Sequence, residues 1–213
     1  MFLVSVVIPT CNSRELLTDA LKALESQTIA HQQMEILVVD DGSTDGTWPF
    51  LTSQTGLPNL HTFLQPHTGM PGAGRNVGIR HARGRYLFFH DSDDYLGEDS
   101  LRRLVSVAEQ EGSDVVVGRA YRVGERPPRS LDAETIPDAD VLRDGIWRSL
   151  SPHKLIRRSL VEQHQFRFHE DMTQGEDQVF IASCLFAAEK ITSVRDYIHY
   201  YRRWRDDGLN LSR

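Results

Sequence analysis

Three carboxylates are crowded into four positions directly after a short apolar run. The run is Tyr86–Phe89, and the acids that follow it are Asp91, Asp93 and Asp94. Such a run is typical of a buried strand in a parallel sheet, and these sheets bind ligands at the carboxyl ends of their strands. Crowded carboxylates repel one another unless a cation lies between them, and Mg²⁺ and Mn²⁺ prefer hard oxygen ligands. The stretch therefore indicates a site for a metal ion and a phosphorylated ligand, with a solvated acidic turn as the alternative.

A second apolar run also ends in acids. Residues 36–39 lead directly into Asp40 and Asp41, and residues 3–8 form an earlier β-branched run. With the helical pattern between them, the two runs predict a right-handed βαβ unit whose strand ends lie at one edge of the sheet. An acid after the second strand commonly binds ribose or a base, which gives a role to Asp40 or Asp41. The alternative is a turn and helix cap, in which the acids are present only because their side chains stabilise the turn conformation of the backbone.

The segments that follow these strands carry helix signals. Asn12 and Glu15 have the spacing of a capping box. The glycine-rich residues 69–76 predict a loop that leads into a helix from Val77, where free amides and the guanidinium of Arg75 could bind phosphate.

Two candidate features lie towards the C-terminus. The pattern after Gly175 is apolar almost all round and predicts a buried helix with Glu176 and Asp177 in its first turn, where acids act as caps or as a catalytic base. Three arginines follow an aromatic strand and suit an anion, or else a solvated tail: Arg202, Arg203 and Arg205.

Length, composition and charge narrow the class of protein. The 213 residues are 39% hydrophobic, which predicts one α/β domain with a proper core. A formal net charge of -6 argues against an electrostatic grip on nucleic acid or an anionic membrane. Cys11 and Cys184 have no paired spacing, and the apolar start reaches Pro9 too soon for a signal peptide or a membrane span. We therefore expect a cytoplasmic protein with small-molecule partners, in which any membrane association is peripheral.

Five motifs occur in the order found in inverting family-2 glycosyltransferases. They are Val-Ile-Pro-Thr-Cys-Asn, Val-Val-Asp-Asp-Gly-Ser-Thr-Asp-Gly-Thr, Gly-Arg-Asn-Val-Gly-Ile, His-Asp-Ser-Asp-Asp and Gly-Glu-Asp. From Leu3 to about Arg205 the sequence resembles that family. Residues 71–76, 151–155 and 176–180 are most similar to the enzymes that put N-acetylglucosamine on wall teichoic acid.

This resemblance implies an α/β protein of the GT-A fold, with a Rossmann-like, mostly parallel central sheet flanked by helices and a C-terminal acceptor-side region. Residues 1–118 would be the nucleotide-sugar-binding half and residues 119–213 the acceptor and catalytic-base half. Family members of that type are longer and carry C-terminal modules, so a catalytic-domain fragment is one expectation.

The resemblance also assigns roles to individual residues. Asp177 would be the catalytic base, with Glu176 beside it, and Asp93 and Asp91 would bind Mn²⁺ or Mg²⁺. Arg205 would close on the donor diphosphate. The residues assigned to the UDP-sugar donor are Pro9, Thr10, Asn12, Asp41, Arg75, Asp91, Ser92, Asp93 and Arg205. The family usually has an apolar or small residue at the position of His90. Strand alternation points His90 away from Asp91, which favours a structural role for it over metal binding.

The implied reaction transfers a sugar, N-acetylglucosamine by preference, to a hydroxyl of a cell-surface polysaccharide, a teichoic-acid-like polymer or a glycolipid. A lipid-linked acceptor would place the protein at the inner face of the membrane. The alternatives are a nucleotidyltransferase, a sugar-nucleotide-binding module without catalysis, and a phosphatase that uses Asp91 and Asp93. A nucleotidyltransferase would be expected to carry a basic glycine-rich signature near the N-terminus, and residues 9–12 are not one. The intact Asp91, Asp93 and Asp177 argue against a binding module without catalysis. A phosphatase would need partner motifs, and no conventional ones follow Asp91 and Asp93.

Overall fold

The computed structural model describes residues 1–54, 56–125 and 134–203. The predicted donor residue Arg205 and part of the irregular segment after Ala120 lie outside these ranges. No helix in the described part of the chain combines the length and the apolar character needed to cross a bilayer.

Strands and helices alternate through the first half of the chain. The elements there are β1 (Val4–Thr10), α1 (Arg14–Glu25), β2 (Met34–Asp40), α2 (Thr47–Thr52), β3 (Leu60–Leu64), α3 (Pro71–His81) and β4 (Tyr86–Phe89). The elements that follow are β5 (Tyr95–Leu96), α4 (Ser100–Glu111), β6 (Val115–Arg122), β7 (Leu155–Arg157), α5 (Arg158–Gln163), α6 (Glu176–Ala187) and β8 (Ile191–Arg202). Short 3₁₀ turns span His31–Gln33 and Ile146–Arg148.

The eight described strands form one sheet in the order β3-β2-β1-β4-β7-β6-β8-β5. The first four strands in this order are mutually parallel, and β6 is parallel to β8. β7 is antiparallel to both of its neighbours, and β5 is antiparallel to β8. The prediction of a mostly parallel central sheet is confirmed. The carboxyl ends of β1, β2 and β4 therefore lie at the same edge of the sheet.

Two apolar clusters cover the two faces of the sheet. Val6 and Ile8 of β1 pack into one cluster, and Val7 between them packs into the other. Burial on both faces explains why the strands appear in the sequence as continuous apolar runs.

The predicted capping box at Asn12 is wrong. α1 begins at Arg14 without a side-chain cap, and Asn12 lies before it with a φ of 48°. The Asn12 Oδ1 atom accepts the backbone N–H of Thr44 at 2.8 Å, so the side chain braces the loop after β2.

The predicted glycine-rich loop is largely a helix. α3 begins at Pro71, because proline suits the first position of a helix, and Arg75 lies within it. Gly78 allows the helix to pack closely on β1, since a Cβ atom at this position would lie 2.2 Å from Val7 Cγ1.

α6 is not buried all round as the sequence predicts. Phe180, Ile181 and Cys184 face the core, but Val179 is 40% exposed and Phe186 is 72% exposed. The apolar pattern overstated the burial because one side of the helix faces solvent.

Candidate active site

Arg75 joins three motifs that are far apart in the sequence. From α3, its Nη2 atom lies 2.9 Å from Asp91 Oδ1, after β4, and its Nη1 atom lies 2.9 Å from Glu176 Oε1, at the start of α6. The Arg75 side chain is almost fully buried, and its guanidinium lies over the Phe168 ring. Burial disfavours the charged form, but the two carboxylates raise the pKa of Arg75 above its ordinary value. The guanidinium therefore fixes Asp91 and Glu176 relative to each other.

Asp91, Asp94 and His153 form a compact set of possible metal ligands. One ligand atom from each lies within 4.8 Å of the others. His153 comes from the segment before β7, and its Nε2 atom lies 3.8 Å from Asp91 Oδ2. The predicted ligand Asp93 is half-buried beside this set but is not part of it among the described residues. Ser92 is buried between Asp91 and Asp93.

The donor atoms of this set fit a divalent cation. Burial, together with the charges of Asp91 and Asp93, raises the pKa of Asp94 to about 8. Burial lowers the pKa of His153 to about 3, although Asp91 acts in the opposite direction. His153 Nδ1 is buried without a hydrogen-bond partner in the described structure. A cation here would relieve the repulsion between the carboxylates, and two carboxylates with a neutral imidazole suit Mn²⁺ and related ions.

Residues at the end of β8 and directly after it hold these possible metal ligands in place, a role that the sequence analysis did not predict. The Tyr200 ring stacks on His153 with centroids 3.6 Å apart, and its hydroxyl accepts the backbone N–H of Asp91 at 3.0 Å. The backbone N–H of Arg203 donates to Asp94 Oδ1 at 2.7 Å. The only sequence signal for this role was the aromatic character of the strand.

His90 occupies a structural position. Its side chain is fully buried and meets the Tyr200 ring edge-on, with centroids 5.4 Å apart. Burial lowers the pKa of His90 to about 4, so the ring is neutral at pH 7. This placement agrees with the role expected from strand alternation.

The two acids at the start of α6 have different surroundings. Glu176 is buried and ion-paired with Arg75. Asp177 is half-buried, and its Oδ1 atom accepts the backbone N–H of Gln178 at 2.8 Å. Lys154 lies near Asp177, and burial lowers its pKa to about 7 although the charge of Asp177 raises it. Glu176 is therefore committed to Arg75, whereas Asp177 forms no ion pair with an arginine among the described residues.

The ends of β1 and β2 lie beside each other at the same edge. Thr10 is buried, its Oγ1 atom has no hydrogen-bond partner in the described structure, and Pro9 precedes it half-buried. Asp41 Oδ1 accepts the Thr68 N–H at 2.9 Å, and Asp41 Oδ2 accepts the Gly69 N–H at 2.8 Å. Burial would raise the pKa of Asp41, but hydrogen bonds from the Gln65 side chain and from these two amides hold it below its ordinary value. The ionised carboxylate is fixed in one orientation.

The predicted arginine group is only partly described. The Arg203 guanidinium contacts Asp19 of α1, with Nη1 3.0 Å from Asp19 Oδ2. Arg202 is half-buried at the end of β8, and Arg205 lies outside the described ranges. The structure thus unites Arg75, Asp91 and Glu176 through direct contacts and leaves the arginine group as a prediction.

Similar proteins share this architecture. The chain is 35% identical over 212 residues to a poly(ribitol-phosphate) beta-glucosyltransferase of Bacillus spizizenii, a match that covers 98% of this chain and 33% of that protein. It is 33% identical to the poly(ribitol-phosphate) beta-N-acetylglucosaminyltransferase TarS of Staphylococcus aureus, covering 98% of this chain and 36% of that protein. The chain therefore spans about a third of the length of these relatives.

A crystal structure of S. aureus TarS 1-349 in complex with UDP-GlcNAc superimposes with a TM-score of 0.92 at 32% identity, covering 99% of this chain and 61% of that chain. A mannosyltransferase of Pyrobaculum calidifontis in complex with GDP-Man and Mn²⁺ has a TM-score of 0.72 at 20% identity, covering 96% of this chain and 58% of that chain, and supports the fold alone. The family model described as glycosyl transferase family 2 matches residues 5–174. The expected GT-A fold is confirmed, and the chain belongs to glycosyl transferase family 2.

Proposed function

We propose that this chain is the catalytic domain of a metal-dependent inverting glycosyltransferase. It moves a sugar, N-acetylglucosamine by preference, from a UDP-sugar to a hydroxyl of a teichoic-acid-like polymer. The observation that carries the proposal is the Arg75 bridge, because it joins the predicted metal ligand Asp91 to the helix start that bears the predicted base. The likeness to TarS, which is solved with UDP-GlcNAc, supports the choice of donor.

The donor site extends along the sheet edge from β2 to β4. Pro9, Thr10 and Asp41 hold the uridine, and the unpartnered Thr10 Oγ1 and the fixed Asp41 carboxylate are suited to hydrogen bonds with a base or ribose.

Asp91 and Asp93 hold the metal ion in this proposal, and the structure adds Asp94 and His153 as candidate ligands. The ion, when bound, neutralises negative charge that develops on the departing diphosphate. Arg205 helps to neutralise the same charge on the diphosphate, as the family resemblance implies. Arg75 is a positioning residue, since both of its terminal nitrogens contact protein carboxylates.

Asp177 acts as the general base. Glu176 is already paired with Arg75, whereas Asp177 is half-buried and forms no ion pair within the described part of the chain, so its carboxylate can take the proton of an acceptor hydroxyl. The hydroxyl attacks the anomeric carbon from the face opposite the diphosphate. This single displacement inverts the anomeric centre, and an α-linked donor gives a β-linked product.

Replacement of Asp177 by Asn tests this assignment. We expect Asp177→Asn to reduce transfer to a poly(ribitol phosphate) acceptor by roughly 10² to 10⁴, the usual contribution of a general base. The thermal shift produced by Mn²⁺ with UDP-GlcNAc or UDP-glucose should be unchanged, because the donor still binds the folded state. Asp171→Asn is the matched control, since Asp171 is an exposed acid of the same region with its side chain 88% exposed.

The catalytic base, the catalysis itself and the donor site can each be contradicted separately. Retained turnover in Asp177→Asn would assign the base to another group. An Mn²⁺-dependent donor shift without any transfer by the wild-type chain would favour a binding module without catalysis. Absence of a shift with every nucleotide sugar would contradict the donor site.

A further inference from the structure

A second set of metal-ligand atoms lies at the donor edge of the sheet, away from Asp91. It consists of Cys11, Asp41 and His67, which follow the adjacent parallel strands β1, β2 and β3. Because three neighbouring parallel strands end at one edge, each loop brings one of these side chains to the same place. One ligand atom from each lies within 4.8 Å of the others.

Two of the three separations are close to those of a four-coordinate zinc site. Cys11 Sγ lies 3.7 Å from His67 Nδ1, and His67 Nδ1 lies 3.1 Å from Asp41 Oδ2. Zinc bonds of usual length at tetrahedral angles place sulfur about 3.6 Å from nitrogen and nitrogen about 3.4 Å from oxygen. The Cys11–His67 separation agrees with its value to about 0.1 Å, and the His67–Asp41 separation is about 0.3 Å shorter, so the His67 ring would have to move slightly to bind the ion.

The backbone holds the three groups at this spacing. A Cβ atom on Gly42, which has a φ of +68°, would lie 2.9 Å from the backbone nitrogen of His67, so the loops after β2 and β3 are in direct contact. Asp41 is further fixed by the amides of Thr68 and Gly69. Asp41 is therefore held in place, whereas His67 Nδ1, which lies 2.8 Å from the backbone carbonyl oxygen of Asp41, must give up that contact to bind an ion.

Charge and access also favour a cation. Burial, and after it the nearby charges of Asp41, Asp40 and Asp45, raise the pKa of the Cys11 thiol, and the same three carboxylates attract a cation. A bound ion would displace the thiol proton, as metals do when they bind cysteine. The His67 side chain is 61% exposed and Cys11 is half-buried, so an ion can enter from solvent and keep a water as its fourth ligand.

We infer that Cys11, Asp41 and His67 bind a soft divalent transition ion of the Zn²⁺ class, and that this ion excludes the uridine nucleotide. Thiolate and imidazole ligands select such an ion over Mg²⁺ or Mn²⁺, which suit the carboxylates after β4. The exclusion rests on the proposed function, in which Asp41 holds the uridine. One side chain cannot serve both ligands in the same geometry.

Co²⁺ is the probe for binding, because Zn²⁺ has a filled d shell and no visible spectrum. We expect Co²⁺ to produce a near-ultraviolet thiolate-to-metal charge-transfer band in the wild type and in the matched control Cys184→Ala, whose thiol is fully buried elsewhere. The band should be absent in Cys11→Ser. His67→Ala keeps the thiol and should weaken Co²⁺ binding by at least about tenfold, the smallest usual cost of disturbing a metal site. Thermal unfolding without metal verifies that each variant is folded.

A missing band in the wild type, or a band that persists in Cys11→Ser, would overturn the site. Saturating UDP should bleach the band in the wild type, and a band unaffected by bound UDP would overturn the exclusion. UDP binding is also measured without Co²⁺. If the chain does not bind UDP at all, the proposed function fails, but the Co²⁺ band would still show whether the metal site exists.

Discussion

Arg75 is a buried cation held between carboxylates from distant parts of the chain. Both of its terminal nitrogens are committed, to Asp91 and to Glu176, and the side chain has little access to water. Loss of one member of a buried pair leaves the others charged and desolvated. The stability of the site therefore depends on this one guanidinium.

Replacement of Arg75 by Met should destabilise the fold strongly. We expect a loss of roughly 3 to 5 kcal/mol in the free energy of unfolding, the usual cost of breaking a buried ion pair. Urea unfolding of the variant measures it. Arg85→Met is the control, because Arg85 contacts Glu109 with side chains 50% and 35% exposed, and exposed pairs contribute less than about 1 kcal/mol. Equal losses in the two variants would contradict the bridging role of Arg75.

Among the secondary-structure elements, the main feature is the close packing of α3 on β1. The sequence assigned Gly72 and Gly74 to a phosphate-binding loop, yet both lie in α3, and Gly78 of the same helix lies against Val7. The glycines therefore permit close contact between a helix and a strand.

Replacement of Gly78 by Ala should force these two elements apart. The new Cβ atom would lie 2.2 Å from Val7 Cγ1, and overpacking of a core usually costs about 1 to 3 kcal/mol. Thermal or urea unfolding measures the loss. Gly56→Ala is the matched control, since the nearest atom to its Cβ among the described residues would be Glu25 Oε1 at 3.7 Å, and its stability should stay within about 1 kcal/mol of the wild type. A neutral Gly78→Ala would show that α3 does not rest on β1 as described.

The sequence predicted the strands better than the helix starts. β1, β2 and β4 are continuous apolar runs because both faces of the sheet are covered, and this signal is local. The start of α1 was misplaced because Asn12 forms a hydrogen bond with Thr44, 32 positions away, in place of the local cap. Long-range partners override local helix signals of this kind.

The same limit applies to the candidate site. Asp91, Arg75 and Glu176 were each singled out from local motifs, but Arg75 and Glu176 are 101 positions apart and their contact has no local signal. His153 and Tyr200 were not assigned to the acidic cluster, because a histidine in an irregular segment and a tyrosine in a strand carry no chemical pattern of their own. Only the fold brings them to Asp91.

At the scale of the whole molecule, several buried histidines set the response to acid. Burial lowers the pKa of His199 to about 4, and neither of its ring nitrogens has a hydrogen-bond partner in the described structure. The unfolded chain binds a proton near pH 6.5. The contribution of His199 to stability is thus complete above about pH 6.5 and is lost as the pH falls towards about 4.

Replacement of His199 by Phe should make the fold less sensitive to acid. We expect the wild type to lose on the order of 3 kcal/mol more of its free energy of unfolding than the variant between about pH 7 and about pH 4. Urea unfolding across this range measures the difference. The phenyl ring retains the edge-on contact with Tyr197. Parallel pH profiles for the two proteins would show that His199 is protonated equally in the folded and unfolded states.

β8 lies between β6 and β5, and its Tyr200 holds both Asp91 and His153 in place. A ribosome delivers the chain from its N-terminus, so β1 to β4 and the acids after β4 emerge long before this tyrosine. Throughout that interval Asp91 lacks the hydrogen bond to Tyr200, and Asp94 lacks the one from Arg203. Tyr200 can reach them only once β8 has joined the sheet beside β6. During translation, the nucleotide edge of the sheet can therefore form first, and the acidic cluster is completed among the last contacts of the domain.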